Sequence, residues 1–208
     1  MAEQKTFDQD LTIINLPRFS KYTSPPQDGN FSKMSVSIFS NGKIRFNNSM
    51  PDKTFFGCSV YPFELAVVKE MALPKLKEAL KTGTIEDFKT IINVKAVDYQ
   101  TKVSSIVAMI VGSKGNIPYI AFKSDSASVV YKFTPINDVT MDINGSPMTK
   151  EHVAIVYAYS YFTDLISSVS EGFRSLVSMG KNVQTLAGSG PSKESSKIAD
   201  TFEDDVTF

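Results

Sequence analysis

Two long stretches of the chain alternate apolar and polar residues, and each is followed by a segment with helical spacing. Alternation with a period of two places successive side chains on opposite faces of a β-strand. The expected strands are 11–16, 34–39, 44–47, 54–60, 90–97, 103–111, 118–123 and 128–133. The chain is therefore predicted to be an α+β protein in which two blocks of antiparallel strands are each followed by a helix.

Turn residues support this division. Asn41-Gly42 joins two alternating runs and favours a hairpin, because both residues tolerate positive φ. The glycines and Asn116 within 112–116 favour a second turn between strands. The segment 20–30 contains the Pro, Gly and Asp of a mobile loop, and no strand is expected there.

The first helix is expected to run from Tyr61-Pro62 to Gly83. Pro62 suits the first helical position, where its missing N–H costs nothing. Pro74 is expected to kink or restart the helix, because proline cannot donate the hydrogen bond of a helix interior. Phe63, Val67 and Met71 are expected to share one apolar face of this helix.

The second helix is expected to be entered through Ser146-Pro147. Its predicted inner stripe follows helical spacing and comprises Phe162, Leu165, Ile166, Val169, Phe173, Leu176 and Val177. The two halves, about 1–83 and 84–187, thus repeat one architecture within a domain at 1–187. From Gly188 the composition changes to Gly, Ser, Pro and Lys, which bury too little apolar surface to fold. We therefore predict a flexible linker and an acidic tail at 188–208.

Charge is segregated along the chain although the 22 basic and 22 acidic residues cancel. Residues 17–56 carry six basic and two acidic side chains, and so do residues 88–133. The last eleven residues carry four acids and no base, so the rest of the chain has 22 basic against 22 − 4 = 18 acidic groups. A basic body with an acidic tail is therefore expected.

Aromatic residues interleave with the cations of both strand blocks. A protein that binds unpaired strands needs both types, because cations follow the phosphates and rings stack on bases. The alternative is that these rings pack in the core. Strand parity predicts that Arg45 faces outward and Phe46 inward. The predicted DNA-binding residues are Arg18, Phe19, Lys21, Tyr22, Phe31, Lys33, Lys43, Arg45, Lys53, Phe55, Lys95, Tyr99, Lys102, Lys114, Lys123, Tyr131 and Lys132.

The terminal segment IADTFEDDVTF resembles the C-terminal tip of bacterial and phage single-stranded DNA-binding proteins, in which an acidic cluster precedes a final Phe. Thr207 stands where the usual bacterial tip has Pro. The resemblance implies that the tail recruits replication and repair proteins and competes with DNA for the basic body. Its expected partner-binding residues are Asp200, Phe202, Glu203, Asp204, Asp205 and Phe208.

The order of strands, helix, strands, helix is similar to that of the Whirly-type single-strand binders, with an OB-fold barrel carrying added helices as the alternative. Together the two resemblances imply a phage protein in the cytoplasm of an infected bacterial cell. Its expected role is sequence-tolerant binding and protection of single-stranded DNA in replication, recombination and repair, as a homo-oligomer.

The sequence offers no pattern for catalysis. Cys58 is the one cysteine and His152 the one histidine, too few for a zinc site, and no glycine-rich motif has phosphate-loop spacing. No enzyme activity, cofactor or metal is therefore predicted. The polar N-terminus and the lack of a long apolar run predict neither a signal peptide nor a membrane partner.

A second hypothesis comes from the C-terminal helix. Its apolar stripe and the tyrosines Tyr157, Tyr159 and Tyr161 are also compatible with a non-enzymatic structural or adaptor protein that self-associates through residues 147–179. On that hypothesis the basic faces bind acidic protein surfaces instead of nucleic acid.

Overall fold

The computed structural model describes residues 11–15, 21–22, 32–38, 43–50, 55–97, 104–125, 127–134 and 140–178. At 11–15, 21–22, 55–56, 96–97, 173 and 175–178 only the backbone is described. The strands are β1 Leu11–Asn15, β2 Lys21–Tyr22, β3 Lys33–Ile38, β4 Ile44–Ser49, β5 Phe55–Val60, β6 Phe88–Val97, β7 Ser104–Lys114, β8 Ile117–Lys123, β9 Ser128–Lys132, β10 Asp142–Ile143 and β11 Ser146–Pro147. The helical elements are a π-helical segment at Val68–Ala72, α1 at Leu73–Thr82 and α2 at Lys150–Ser178.

The strands form two large antiparallel sheets. The first sheet has the order β1-β3-β4-β5, and the second has the order β2-β9-β8-β7-β6. The predicted α+β class, with strands followed by a helix in each half, is confirmed. The described strands divide between two open sheets and a small β10–β11 hairpin, so their order does not match the five-stranded barrel of the OB-fold alternative.

One strand was missed. Residues 20–30 were predicted to be a mobile loop, but Lys21–Tyr22 forms β2 and pairs with Lys132 and Tyr131 of β9. Two residues are too few to show an alternating pattern. This strand forms because its backbone pairs with the edge of β9. The N-terminal half of the chain therefore contributes one strand to the second sheet.

The inner faces of the two sheets meet in one apolar core. The rings of Phe46 on β4 and Phe122 on β8 have centroids 5.4 Å apart. The buried hydroxyl of Tyr131 on β9 donates a hydrogen bond of 3.0 Å to Oδ1 of Asn48 on β4. Phe46 was predicted to be a core residue and is fully buried. The two sheets are thus joined by both apolar and polar contacts.

The apolar face predicted for the first helix is not the face that packs into the core. Phe63, Val67 and Met71 are the exposed side. The stripe that enters the core is Leu65, Val68, Ala72, Leu76 and Ala79. Both stripes are apolar at helical spacing, but only the second continues through α1, because the first runs into Pro74 and Lys75. Continuity over the full helix decides which side is buried.

Two expectations for this helix are confirmed. Pro74 lies in the first turn of α1, where the backbone changes from π to α and no N–H is needed. Gly83 ends the helix with φ of 73°, and its N–H donates to the Ala79 carbonyl at 2.8 Å. Only glycine adopts this left-handed conformation without strain.

The second helix begins later than predicted. Ser146-Pro147 forms strand β11 of a hairpin, and α2 starts at Lys150. Asn144 and Gly145 have φ of 51° and 79°, as a two-residue hairpin turn requires. The hydroxyl oxygen of Thr149 caps the helix by accepting the His152 N–H at 3.2 Å. The Asn-Gly signal for this turn is visible in the sequence and was overlooked.

Helix α2 packs against both sheets and against α1. Of its predicted inner stripe, Phe162, Leu165 and Val169 are buried in the core. Ile166 is half-buried, and the side chains of Phe173, Leu176 and Val177 lie outside the described residues. The ring Nε2 of His152 lies 2.9 Å from the Leu80 carbonyl oxygen, which joins the two helices. Within the described residues, no helix is both long and apolar enough to span a bilayer.

Candidate nucleic-acid interface

The outer surface of the second sheet carries a group of lysines. Met109, Phe122 and Tyr131 belong to the core, so the alternate residues of the same strands face away from it. On that outer side lie Lys89, Lys95, Lys114, Lys123 and Lys132, which we call the basic face. Each of these side chains is exposed or half-buried.

The strand register arranges the basic face in rows that cross the sheet. One row contains Lys89, Gly112, Tyr119, Lys132 and Lys21, although only the backbone of the last residue is described. A second row contains Ile91, Ile110, Ala121 and Val130. A third contains Asn93, Ala108, Lys123 and Ser128. Cations of the first and third rows therefore flank an apolar row, and adjacent rows are about 6.6 Å apart because they are two residues apart along each strand.

The apolar row and Tyr119 are buried. Ile110 is 1% exposed and Tyr119 is 4% exposed. A Cβ on Gly112 would collide with the Phe88 carbonyl oxygen and lie 2.9 Å from the Tyr119 hydroxyl oxygen, so this glycine makes room for both the neighbouring strand and the ring. In the described part of the chain, the basic face thus presents cations and no open aromatic ring.

A hairpin holds the Lys114 end of the basic face. The β7–β8 turn is Gly115-Asn116, with φ of 57° and 67°, as predicted for this segment. The Asn116 side-chain oxygen accepts the Ile85 N–H at 2.6 Å, and an Asp87 carboxylate oxygen accepts the Gly115 N–H at 2.8 Å. These two bonds fix the turn against the chain that enters β6.

Two groups at this end have perturbed pKa values. Partial burial, with a contribution from the nearby charge of Lys114, lowers the pKa of Lys132. Burial and the charge of Asp87 raise the pKa of Tyr119. A negative phosphate near Lys114 and Lys132 would relieve the repulsion between the two ammonium groups. This corner therefore combines two cations that repel each other with the carboxylate of Asp87.

The strands of the two large sheets contain no aspartate or glutamate among the residues that the structure describes. Their basic residues are Lys21, Lys33, Arg45, Lys89, Lys95, Lys114, Lys123 and Lys132. The ion pairs Lys69–Glu70 and Lys81–Glu78 lie in the helical elements. Positive charge thus collects on the sheets.

The outer surface of the first sheet is different. It carries Lys33, Ser35, Arg45, Asn47 and Ser59, which we call the polar face. Arg45 is exposed, as predicted. Its guanidinium group lies across Gly57, since a Cβ at that glycine would be 2.8 Å from Nε. At one end of this face, Lys43 Nζ lies 5.1 Å from the centroid of the Tyr61 ring.

The predicted DNA-binding residues that the structure places fall into three groups. The basic face brings together Lys95, Lys114, Lys123 and Lys132, with Lys21 in register beside them. Lys33, Lys43 and Arg45 lie on or beside the polar face. The prediction of Tyr131 as an accessible ring was wrong, because it is fully buried and hydrogen-bonded to Asn48.

The remaining predicted residues are not placed. Only the backbone is described for Tyr22 and Phe55. The residues outside the described ranges are Arg18, Phe19, Phe31, Lys53, Tyr99, Lys102, Asp200, Phe202, Glu203, Asp204, Asp205 and Phe208. Lys89 belongs to the basic face and was not among the predicted residues, although its even spacing from Lys95 within one strand was a usable signal.

Comparison of the chain with protein-family models finds no match, and neither do comparisons with curated proteins and with solved structures.

Proposed function

We propose that this protein binds single-stranded DNA through its basic face, as a phage protein of DNA replication, recombination and repair. The observation that supports the proposal is the segregation of charge, because the sheet strands carry lysines and no acids. Lysine ammonium groups are point charges that contact phosphates without reading base edges. Binding is therefore expected to tolerate any sequence.

The shape of the basic face favours an unpaired strand over a duplex. Direct readout of a duplex uses a helix or a β-ribbon inserted into a groove. The described part of the basic face is instead a sheet surface between strand ends, bordered by the short Gly115-Asn116 turn. A flexible single strand can follow the cations on either side of the buried apolar row, as in other sheet-based binders.

A mobility-shift assay tests the proposal. The chain is expected to bind a labelled single-stranded oligonucleotide more tightly than duplex or RNA of the same length. The variant Lys95→Gln/Lys114→Gln/Lys123→Gln is expected to lose affinity on the order of 10- to 100-fold and to show a shallower salt dependence by about 0.7 per lost phosphate contact.

The matched control is Lys69→Gln/Lys77→Gln/Lys81→Gln, which removes three exposed charges from the helical elements. It changes net charge by the same amount and is expected to leave affinity within about threefold, because these charges belong to the helical elements and not to the basic face. Equal losses in the two variants, or duplex binding as tight as single-strand binding, would contradict the proposal.

We also propose that the acidic aromatic segment 200–208 recruits replication and repair proteins. Its acids suit Arg and Lys on a partner, and Phe202 and Phe208 suit apolar pockets. Deleting 201–208 is expected to abolish pull-down of these proteins while oligonucleotide affinity stays equal or rises. Retention of the same partners by the truncated chain would refute this role.

The alternative of a self-associating adaptor has less support from the fold. Phe162, Leu165 and Val169 of the stripe that motivated it are buried within the chain's own core, as is Tyr161. Homo-oligomerisation stays a prediction, and sedimentation velocity with and without oligonucleotide measures it. A stable oligomer that binds no nucleic acid at any salt concentration would favour the adaptor.

A further inference from the structure

Among the described residues, one aromatic ring is largely exposed to solvent. Phe63 is 52% exposed, whereas the other described Phe and Tyr side chains are buried or half-buried. Exposing a phenyl ring to water is unfavourable, at about 25 cal/mol for each Å² of apolar surface. An exposed ring of this size is therefore a candidate contact for a ligand.

Phe63 is stacked on a second ring. Its plane is inclined by only 6° to that of Tyr61, and the ring centroids are 5.6 Å apart. Tyr61 is also the ring that receives the cation–π contact from Lys43. The two rings thus form a parallel stack, with an ammonium group over the ring of Tyr61.

The backbone holds the two rings in place. The Tyr61 N–H donates to the Glu64 carboxylate at 2.7 Å, and the Glu64 N–H donates to the Tyr61 carbonyl at 3.0 Å. Pro62 between the rings has a fixed φ. Because the turn is tied at both ends, the stack loses little conformational entropy when a ligand binds.

The stack lies at the border of the polar face. Tyr61 directly follows β5, and Lys43 directly precedes β4, whose Arg45 is exposed on the same outer side. Arg45 and Ser59 are paired in the register of β4 and β5, two residues from Lys43 and Tyr61 respectively. Two cations therefore lie near the two stacked rings, and the acid of this turn, Glu64, accepts the Tyr61 N–H.

We propose that Tyr61 and Phe63 form a stacking site for an unpaired base, with Lys43 and Arg45 contacting the adjoining phosphates. This inference rests on the proposed single-strand binding and adds to it the contact with bases that the basic face lacks. Stacking on aromatic side chains is tolerant of base identity, so the site takes purine or pyrimidine.

The test uses the absence of tryptophan from the chain. In Phe63→Trp the introduced indole is the sole tryptophan, and a base stacked on it quenches its fluorescence. Titration with a single-stranded oligonucleotide is expected to quench this emission strongly, whereas an abasic oligonucleotide of equal length is expected to quench it little. Phe63→Ala is expected to bind the normal oligonucleotide about 5- to 100-fold more weakly than the parent chain.

Met71→Trp is the matched control, because Met71 is 55% exposed on the same side of the helical segment. Its emission is expected to change little on titration. Urea midpoints of all variants are expected to match the parent chain, since both side chains are exposed.

Three outcomes would overturn the stacking site. If the parent chain binds the oligonucleotide and Phe63→Ala binds it equally well, the stacking site is refuted and the basic face retains its proposed role. If Phe63→Ala instead changes only self-association, Phe63, Val67 and Met71 form a protein contact. If the parent chain binds no oligonucleotide, both proposals fail together.

Discussion

The two large sheets share a core but present different outer surfaces. The basic face carries five lysines around a buried apolar row, whereas the polar face carries Lys33 and Arg45 among serines and asparagine, with the stacked rings of Tyr61 and Phe63 at its border. Five of the sheet lysines therefore share one surface, whereas the accessible rings border the other surface together with fewer cations. A strand that uses both surfaces receives most of its phosphate contacts from one and its base contact from the other.

This separation differs from the sequence pattern. Cations and rings are neighbours along the chain, as in Tyr131-Lys132, but neighbouring residues of a strand face opposite sides. The ring of Tyr131 thus enters the core and the ammonium group of Lys132 stays outside. Interleaving in sequence produces segregation in space whenever the interleaved residues lie in regular strands.

The sharpest test compares two substitutions on each surface. Lys95→Glu/Lys123→Glu on the basic face is expected to weaken oligonucleotide binding on the order of 100-fold, and Lys33→Glu/Arg45→Glu on the polar face on the order of 10-fold. The loss is larger on the basic face because the two introduced glutamates also repel phosphates that bind at its three other lysines. Fluorescence anisotropy at fixed salt measures both variants.

The net charge changes by the same amount in the two double variants, so any difference between them comes from position. Equal losses of affinity would mean that the two surfaces contribute equally to oligonucleotide binding. A larger loss of affinity in the polar-face variant would indicate that the first sheet makes most of the phosphate contacts.

A second test concerns the bond that joins the sheets beneath the two surfaces. Asn48→Ala removes the acceptor of the buried Tyr131 hydroxyl and is expected to lower the free energy of unfolding by about 1–3 kcal/mol. Tyr131→Phe removes the donor and is expected to cost about 1 kcal/mol. Urea unfolding measures both single variants, and the double variant completes the double-mutant cycle.

A negligible coupling energy between Asn48 and Tyr131 would show that the hydrogen bond does not hold the sheets together. Oligonucleotide affinity extrapolated to the folded population is expected to stay unchanged in both variants, because neither side chain reaches an outer surface.

The smallest expected effect is a pH dependence of the basic face. Because burial and Lys114 lower the pKa of Lys132, this lysine loses its charge before a lysine with the ordinary pKa as pH rises. Oligonucleotide affinity is therefore expected to begin falling at a lower pH in the parent chain than in Lys132→Arg, with a difference of about two- to fivefold. Anisotropy titrations between pH 8 and about pH 10.5 measure it.

The same pKa shift affects stability. Between the lowered pKa of folded Lys132 and its ordinary unfolded value, the unfolded chain binds more protons, so this group's contribution to stability rises with pH across that window. Removing the neighbouring charge in Lys114→Met is expected to raise the Lys132 pKa toward its ordinary value. Identical pH profiles for the parent chain and Lys132→Arg would contradict the electrostatic account of this corner.

Much of the fold was predictable because its strands alternate and its turns use Asn-Gly or Gly-Asn. Each of the eight predicted strands matches an observed strand to within a few residues. Helix orientation was harder, since Phe63 and Leu65 both begin apolar stripes and only packing decides between them. Register was not predictable, because the alignment of Lys89 with Lys132 across four strands depends on which strands become neighbours.

The pairing of β2 with β9 has a consequence for how a new chain matures. Lys21 and Lys132 are 132 − 21 = 111 residues apart, so at about 5–20 residues per second a ribosome needs roughly 6 to 22 seconds between making one and the other. Throughout that interval β2 has no β9 to pair with. Completion of the second sheet is therefore a late event in biosynthesis, and the nascent N-terminal segment has to avoid other partners until then.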